Sequence, residues 1–205
     1  LLPKAHDMSR EWSLISALGP TAVPVPEALG FCESPDITGA WFYVMGCING
    51  RPLYNNEETE EWVPEAKRKT LANSFVDVLA DLHSLDADVV GLSDLGKRDS
   101  YVGRQLKTWY KSWTSSIEGA NFDDPRALEL QQFFLENLPE QEKARVVHGD
   151  YGLHNCLTGP DSTVAAVVDW EISTLGDPLA DLAYALNFFP DPSDTIPISP
   201  EAATS

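Results

Sequence analysis

The sequence predicts an α+β protein. A mainly helical C-terminal part carries one functional β-hairpin, and a smaller N-terminal part holds a helix and two strands. Three observations predict this. Leu71, Phe75, Val78, Leu79 and Leu82 recur at i, i+4, i+7, i+8 and i+11, the spacing of one helix face. Val164 to Val168 is a continuous apolar run rich in β-branched residues, and Gly159-Pro160-Asp161-Ser162 before it is turn chemistry. His148-Gly149-Asp150, Asn155 and Asp169 bring polar side chains to either side of that turn.

Asn155 to Thr158 is short enough to pair with the apolar run, and Asn155 and Asp169 are equidistant from Ser162. A hairpin centred there sets them opposite each other at its open end, with Cβ atoms about 4.5–5.5 Å apart. An amide oxygen and a carboxylate at that separation can share one hard cation such as Mg²⁺. Asp150 lies on the loop leading in, a free carboxylate suited to act as a base or to orient a nucleophile.

The pattern His148-Gly149-Asp150, four residues, Asn155 resembles the H-R-D-x-x-x-x-N loop of protein kinases, which a metal-binding Asp follows after a short hairpin. Gly149 replaces the Arg, and Asp169-Trp170-Glu171 replaces D-F-G. With Leu175-Gly176-Asp177-Pro178-Leu179-Ala180-Asp181-Leu182-Ala183 behind it, this variant is similar to the aminoglycoside phosphotransferase and choline kinase branch of that fold. Within the branch it most resembles the phosphotransferase-like domains associated with acyl-CoA dehydrogenases. The resemblance covers essentially the whole chain. It implies a protein kinase-like two-lobe fold: a partial N-terminal lobe over 1–46, a hinge over 47–53, and a C-terminal lobe over 54–205. Substrate-side helices would occupy about 97–138, and the catalytic loop and metal hairpin 146–171. ATP and Mg²⁺ are the implied cofactors.

Composition narrows the partners. The 205 residues carry a net charge of −18, which argues against nucleic acid, because phosphate contacts need a basic surface. Cys32, Cys47 and Cys156 are widely spaced without a C-x-x-C and read as free thiols in a reducing compartment. No apolar run approaches the roughly 20 residues that span a bilayer, and no signal peptide is visible, so a cytoplasmic protein without membrane attachment is expected. The chain opens on Leu1 rather than Met and holds no G-x-G-x-x-G or P-loop. The strands that cover the ATP phosphates, and the basic residue among them, are therefore expected upstream. Both ends read as cut, and the chain as written is expected to be a weak or inactive enzyme.

In chain order, an irregular lead precedes a helix capped by Asp7 or Ser9, with Trp12, Ile15 and Leu18 on one face. Glu11 on that helix reads as a solvated acid; the resemblance makes it the αC glutamate, partner of a basic residue on the preceding strand. Lys4, in the lead, is not read as that residue. Val23 to Cys32 reads as an extended entry and a strand, and Ala40 to Met45 as a second strand. By resemblance Met45 and Cys47 are hinge positions whose backbone groups bond adenine. Glu57 to Glu61 reads as a solvated loop or a helix start. Pro64 opens the helix that runs to Leu85, and His83 near its end reads as structural, with no partner nearby.

Leu106, Trp109, Tyr110 and Trp113 form an aromatic helical stripe that reads as a core face. Lys97, Arg98, Arg104, Lys107 and Lys111 place five of the 14 basic residues in the same stretch. The alternative reading is therefore a substrate side, with Arg104, Lys107, Trp109 and Lys111 facing an acceptor that is anionic or of acyl type. Asp124 to Leu138 is a second amphipathic helix, with Leu128, Phe133, Phe134 and Leu135 as apolar contributors. Asp177-Pro178 reads as a cap and first-turn proline for a helix reaching about Phe189, and buried Asp181 calls for a hydrogen-bonded partner. The tail from Pro190 to Ser205 reads as irregular.

The roles follow. Asp150 accepts the proton of a substrate hydroxyl, and Asn155 and Asp169 hold Mg²⁺ against the ATP phosphates. His148 braces the loop. Asp177 and Asp181 are structural, with Asp181 supporting the loop by resemblance. Glu171 reads either as a contact to a second metal or substrate or as an exposed acid after the strand, and Trp170 packs. The function read is an ATP-dependent small-molecule kinase of unknown oligomeric state. Two rivals stand beside it. A metal-dependent phosphoesterase could use His148, Asp150, His154, Asn155 and Asp169 as ligands. A non-catalytic nucleotide-binding module would bind without turnover.

Overall fold

The computed structural model describes residues 8–187. Lys4, the Asp7 cap, the last residues of the final predicted helix and the Pro190–Ser205 tail lie outside the described residues. Helix α1 (Met8–Leu18) buries Glu11, Leu14, Ile15 and Leu18, while Trp12 stacks on Phe31 with ring centroids 5.9 Å apart. Ser9 is inside this helix, so it is not the cap. Strands β1 (Ala28–Cys32) and β2 (Phe42–Met45) form an antiparallel pair against which α1 packs. β1 occupies the end of the stretch read as an extended entry and a strand, and β2 starts two residues later than predicted.

The connection after β2 is anchored quickly. Arg51 bridges to Thr158 on both backbone sides, and Leu53 N–H donates to the Leu153 carbonyl at 3.1 Å. The acidic run becomes helix α2 (Asn56–Trp62), because Asn55 caps it by accepting from Glu58 N–H at 2.9 Å. Trp62 closes this end: its indole N–H donates to the Thr158 carbonyl at 3.0 Å, and the Arg51 guanidinium lies 5.3 Å from its ring centre. Helix α3 (Arg68–Ser84) starts later than predicted, since Pro64 is extended (ψ 140°) and a 3-10 turn over Glu65–Lys67 intervenes. Its buried residues are the five predicted from spacing, Leu71, Phe75, Val78, Leu79 and Leu82. Each contributes about 1.5–3 kcal/mol by leaving water, so α3 is the spine of the core.

Helices α4 (Tyr101–Ala120) and α5 (Arg126–Glu136) pack on each other. The aromatic stripe is not a core face. Trp109 is 69% exposed, α4 buries only Tyr101 and Gly103, and α5 buries nothing. Helical periodicity fixes which residues share a face, not whether anything covers that face. The basic stretch is also partly engaged: Arg98 pairs with Asp88 at 2.9 Å, and Arg104 donates to the Lys97 carbonyl at 2.7 Å.

Strand β3 (Arg145–Val147) leads into the loop at 148–155 and pairs antiparallel with β6 (Thr174–Gly176), a strand the sequence reading missed. Strands β4 (Cys156–Thr158) and β5 (Val164–Val167) form the predicted hairpin, but its register is one residue off. Cys156 pairs with Val167, and the Asn155 carbonyl accepts from Val168 N–H at 3.0 Å. The turn closes around Asp161 rather than Ser162. Gly159 N–H donates to the Thr163 carbonyl, Asp161 accepts from Thr163 N–H at 3.2 Å, and Ser162 takes a left-handed φ of 66°. That closure alone would set Asn155 opposite Val167; the register irregularity at Leu157/Thr158 takes back one residue and leaves it opposite Val168. Helix α6 (Pro178–Leu186) is capped as predicted, the Asp177 carboxylate accepting from Leu179 N–H at 3.0 Å. Among the described residues no helix is long and apolar enough to cross a membrane. Cys32, Cys47 and Cys156 are free thiols.

Candidate active site

The loop at 148–155 is built from its backbone outward. Asp181 is 1% exposed, and its two oxygens accept from His148 N–H at 2.7 Å and Gly149 N–H at 2.8 Å. The partner missing for His83 in the sequence is this same carboxylate, 3.2 Å from Nε2 and 98 residues along the chain. From the other side, Ser173 Oγ donates to the His148 carbonyl at 3.0 Å. Arg10 of α1 donates through Nε to the Ser173 carbonyl at 3.0 Å and through Nη2 to the Leu95 carbonyl at 2.9 Å, so α1 is tied to the same loop.

His148 is fully buried against Trp170, with ring centroids 4.7 Å apart. Its Nε2 lies 3.0 Å from the Val168 carbonyl and its Nδ1 accepts from Asp150 N–H at 3.3 Å. Those partners require a neutral ring protonated on Nε2. Burial pushes its pKa down and outweighs the carboxylates of Asp181, Asp150 and Asp169. A ring with both nitrogens committed braces the loop.

Asp150 is partly exposed. The Asn155 amide donates to its Oδ2 at 3.0 Å and to its carbonyl at 2.9 Å. His154 Nε2 lies 3.3 Å from its Oδ1. Burial opposes ionisation, but hydrogen bonds from Tyr184, His154 and Asn155 and the His154 charge outweigh it, holding the carboxyl below its usual 3.8. The result is an ionised, oriented carboxylate that can accept a proton.

Asn155 is 6% exposed, and its Nδ2 is spent on Asp150, which leaves Oδ1 as a hard oxygen donor. Asp169 follows the hairpin in a left-handed conformation (φ 65°) with its side chain exposed. Its charge, with that of Glu171, acts on Glu11 of α1, so these acids share one region. Glu11 is 9% exposed and accepts from the Tyr43 hydroxyl at 3.3 Å. Burial raises its pKa, and the Asp169 and Glu171 charges raise it further. Among the described residues no three His, Cys, Asp or Glu side chains are placed to hold a metal ion. Asn155 Oδ1 and the Asp169 carboxylate are both hard oxygen donors, the ligand type that Mg²⁺ takes.

The predicted residues therefore separate. His148, Asp150, Asn155 and Asp181 form one hydrogen-bonded unit, and Glu11 and Asp169 lie near each other. Met45 ends β2 paired with Ala28, and exposed Cys47 follows it on the connection. No hydrogen bond or ion pair among the described residues links Arg104, Lys107, Trp109 or Lys111 to Asp150, Asn155 or Asp169. A cavity of about 760 Å³ lies elsewhere, lined by Tyr101, Leu138, Gln141, Arg145 and Leu175 among others, and contains none of the predicted site residues. Sequence reasoning missed the Tyr184 and Tyr43 contacts. Tyr184 had a signal: it lies three residues after Asp181, on the same helix face.

The model of the family described as "Phosphotransferase enzyme family" matches residues 1–203. Mouse acyl-CoA dehydrogenase family member 10 is 38% identical over 190 residues, 90% of this chain and 17% of its own. Chicken acyl-CoA dehydrogenase family member 11 is 38% identical over 191 residues, 92% of this chain and 24% of its own. The chain thus spans a quarter or less of these curated relatives. Among solved structures, a Ralstonia eutropha protein classed with the aminoglycoside phosphotransferases is 30% identical with a TM-score of 0.75, covering 91% of this chain and 56% of that one. Aminoglycoside phosphotransferase APH(4)-Ia, solved with ADP and hygromycin B, matches at 18% identity with a TM-score of 0.62, over 91% of this chain and 62% of its own.

Proposed function

The chain belongs to the phosphotransferase enzyme family and has its protein kinase-like fold, and on that premise we propose that it moves the γ-phosphoryl group of ATP to a hydroxyl of a small molecule. The observation that carries this reading is Asp150, kept ionised and held by Asn155 and His154 at the mouth of the loop. Asp150 would orient the acceptor hydroxyl and take its proton as the new O–P bond forms and the bond to ADP breaks. Asn155 Oδ1 and Asp169 would hold Mg²⁺, which when bound neutralises charge on the phosphates. Glu11 and Glu171 would line the nucleotide side, and Met45, just before a hinge over 47–53, and Cys47, its first residue, would meet the adenine. A cytoplasmic location belongs to the same reading.

The acceptor is proposed to carry an anionic or acyl group. The relatives' names point to acyl chemistry, and α4 displays exposed Lys107 and Lys111 beside exposed Trp109. A phosphoesterase is less well supported, because the described residues offer no cluster of His, Cys, Asp and Glu for a protein-held metal site. The test is a metabolite screen of the full-length protein with ATP and Mg²⁺, reading ADP release against Asp150→Ala. Release that ignores the substitution, or a preference for aminoglycosides over hydroxy acids, would refute the reaction or the acceptor respectively.

A further inference from the structure

Helix α3 holds the catalytic loop on both sides of Asp150. Ahead of Asp150, His83 Nε2 lies 3.2 Å from Asp181 Oδ2, and the Asp181 carboxylate accepts from His148 N–H and Gly149 N–H. Behind it, the buried Tyr151 hydroxyl donates to the Phe75 carbonyl at 2.8 Å. Phe75 and His83, at i and i+8, lie along the same side of α3. The helix that forms the spine of the core therefore also grips the residues flanking Asp150.

The His83 side chain is 15% exposed and that of Asp181 1%. Both Asp181 oxygens already accept from backbone N–H groups, so the facing Nε2 of His83 carries a proton and donates. The two backbone donors belong to the loop itself, and a carboxylate bound to them alone can shift together with the loop. The His83 ring ties that carboxylate to α3, which does not belong to the loop. The geometry points to His83 as a positioning residue for phosphoryl transfer. It fixes the Asp181 carboxylate, Asp181 fixes the peptides of His148 and Gly149, and those peptides set where Asp150 meets the acceptor hydroxyl. The acceptor proton passes to Asp150, and His83 acts only through Asp181.

This inference rests on the kinase reading, and the experiment separates the two. Full-length wild type, Asp150→Asn, His83→Gln and His83→Asn are assayed with ATP, Mg²⁺ and a panel of hydroxycarboxylic acids, reading ADP release. Hydrogen exchange is followed by mass spectrometry over residues 146–152 and over α3. Gln carries its amide nitrogen about as far out as Nε2, whereas Asn stops a bond short. His83→Asn should lower turnover about tenfold while the KM for ATP stays within about twofold, the split of a group that matters chiefly in the transition state. It should also speed exchange of the loop amides about tenfold while α3 exchange holds. His83→Gln should bring both back toward wild type. Turnover of His83→Asn equal to wild type, or His83→Gln as impaired as His83→Asn, overturns the inference and leaves the kinase reading standing. So does a His83→Asn protein that fails to fold, or exchange that rises in α3 as much as in the loop, since either makes His83 a stability residue. Wild-type protein that releases no ADP, or release that survives Asp150→Asn, overturns both.

Discussion

The side-chain amide of Asn155 donates to both the carbonyl and the Oδ2 of Asp150, at 2.9 and 3.0 Å. A residue expected to face a metal is therefore also the clamp that closes the loop. Because Nδ2 is fixed by Asp150, Oδ1 must point away from it, which gives Asn155 one defined direction for a cation. Asn155→Ala removes the clamp and the oxygen together. It is expected to cost about 1–3 kcal/mol in urea unfolding, since Asp150 loses two donors in a half-buried site. Affinity for ATP should fall in Mg²⁺ and not in EDTA, as read by calorimetry.

Gly149 stands where protein kinases carry Arg, and its backbone explains why a side chain is not accepted. Its φ is +89°, and an added Cβ would lie 3.2 Å from two atoms of the Ile172 side chain. Gly149→Ala is expected to lose about 1–2 kcal/mol from the left-handed strain alone. The peptide it distorts carries the N–H that Asp181 binds and leads directly to Asp150. ADP release should therefore fall further than the stability loss accounts for when both are measured at one temperature.

What the sequence made legible was local chemistry. The five core residues of α3, the Asp177 cap and the buried, bonded Asp181 each follow from a short-range rule that the fold obeys. The hairpin was legible as a hairpin, but its register depended on where four turn residues close and on an irregularity at Leu157/Thr158, and that moved Asn155 from Asp169 to Val168. Strand β6 is three residues long and finds β3 from nearly thirty residues away, so no local pattern announces it. His83 and Asp181 were each visible as polar residues on apolar helices, yet only the packed chain shows that they answer each other. Within the site, His148, Asp150 and Asn155 were identified from spacing, whereas the Tyr184 contact requires knowing that α6 lies against the loop.

Leu82 and Trp109 sit on faces that look equally apolar in sequence and differ in the fold. Leu82 is fully buried, and Trp109 is 69% exposed. Leu82→Ala is expected to cost about 2–5 kcal/mol from lost burial and the cavity left behind. Trp109→Ala should stay within about 0.5 kcal/mol, the range of surface substitutions. Thermal denaturation of the two variants distinguishes a core face from an open one. If Trp109 contacts the acceptor, its substitution raises the KM for the acceptor while the melting temperature holds.

Among the described residues Glu11 is a strained acid: buried, near Asp169 and Glu171, and with its pKa raised chiefly by desolvation. A carboxyl whose folded pKa lies above the unfolded value, here 4.5, contributes its full share of stability only below that value, and loses it as pH rises through the folded pKa. At neutral pH the charge on Glu11 therefore opposes folding. Gln at this position keeps an acceptor for the Tyr43 hydroxyl and carries no charge. Glu11→Gln is expected to match wild type near about pH 4 and to melt a few degrees higher at about pH 7.5, the gap opening across the window above 4.5. Melting curves at a series of pH values read it directly. A gap that is constant with pH would assign the difference to packing instead of charge, and a lower melting temperature for the variant at neutral pH would mean that Glu11 is held there by a cation.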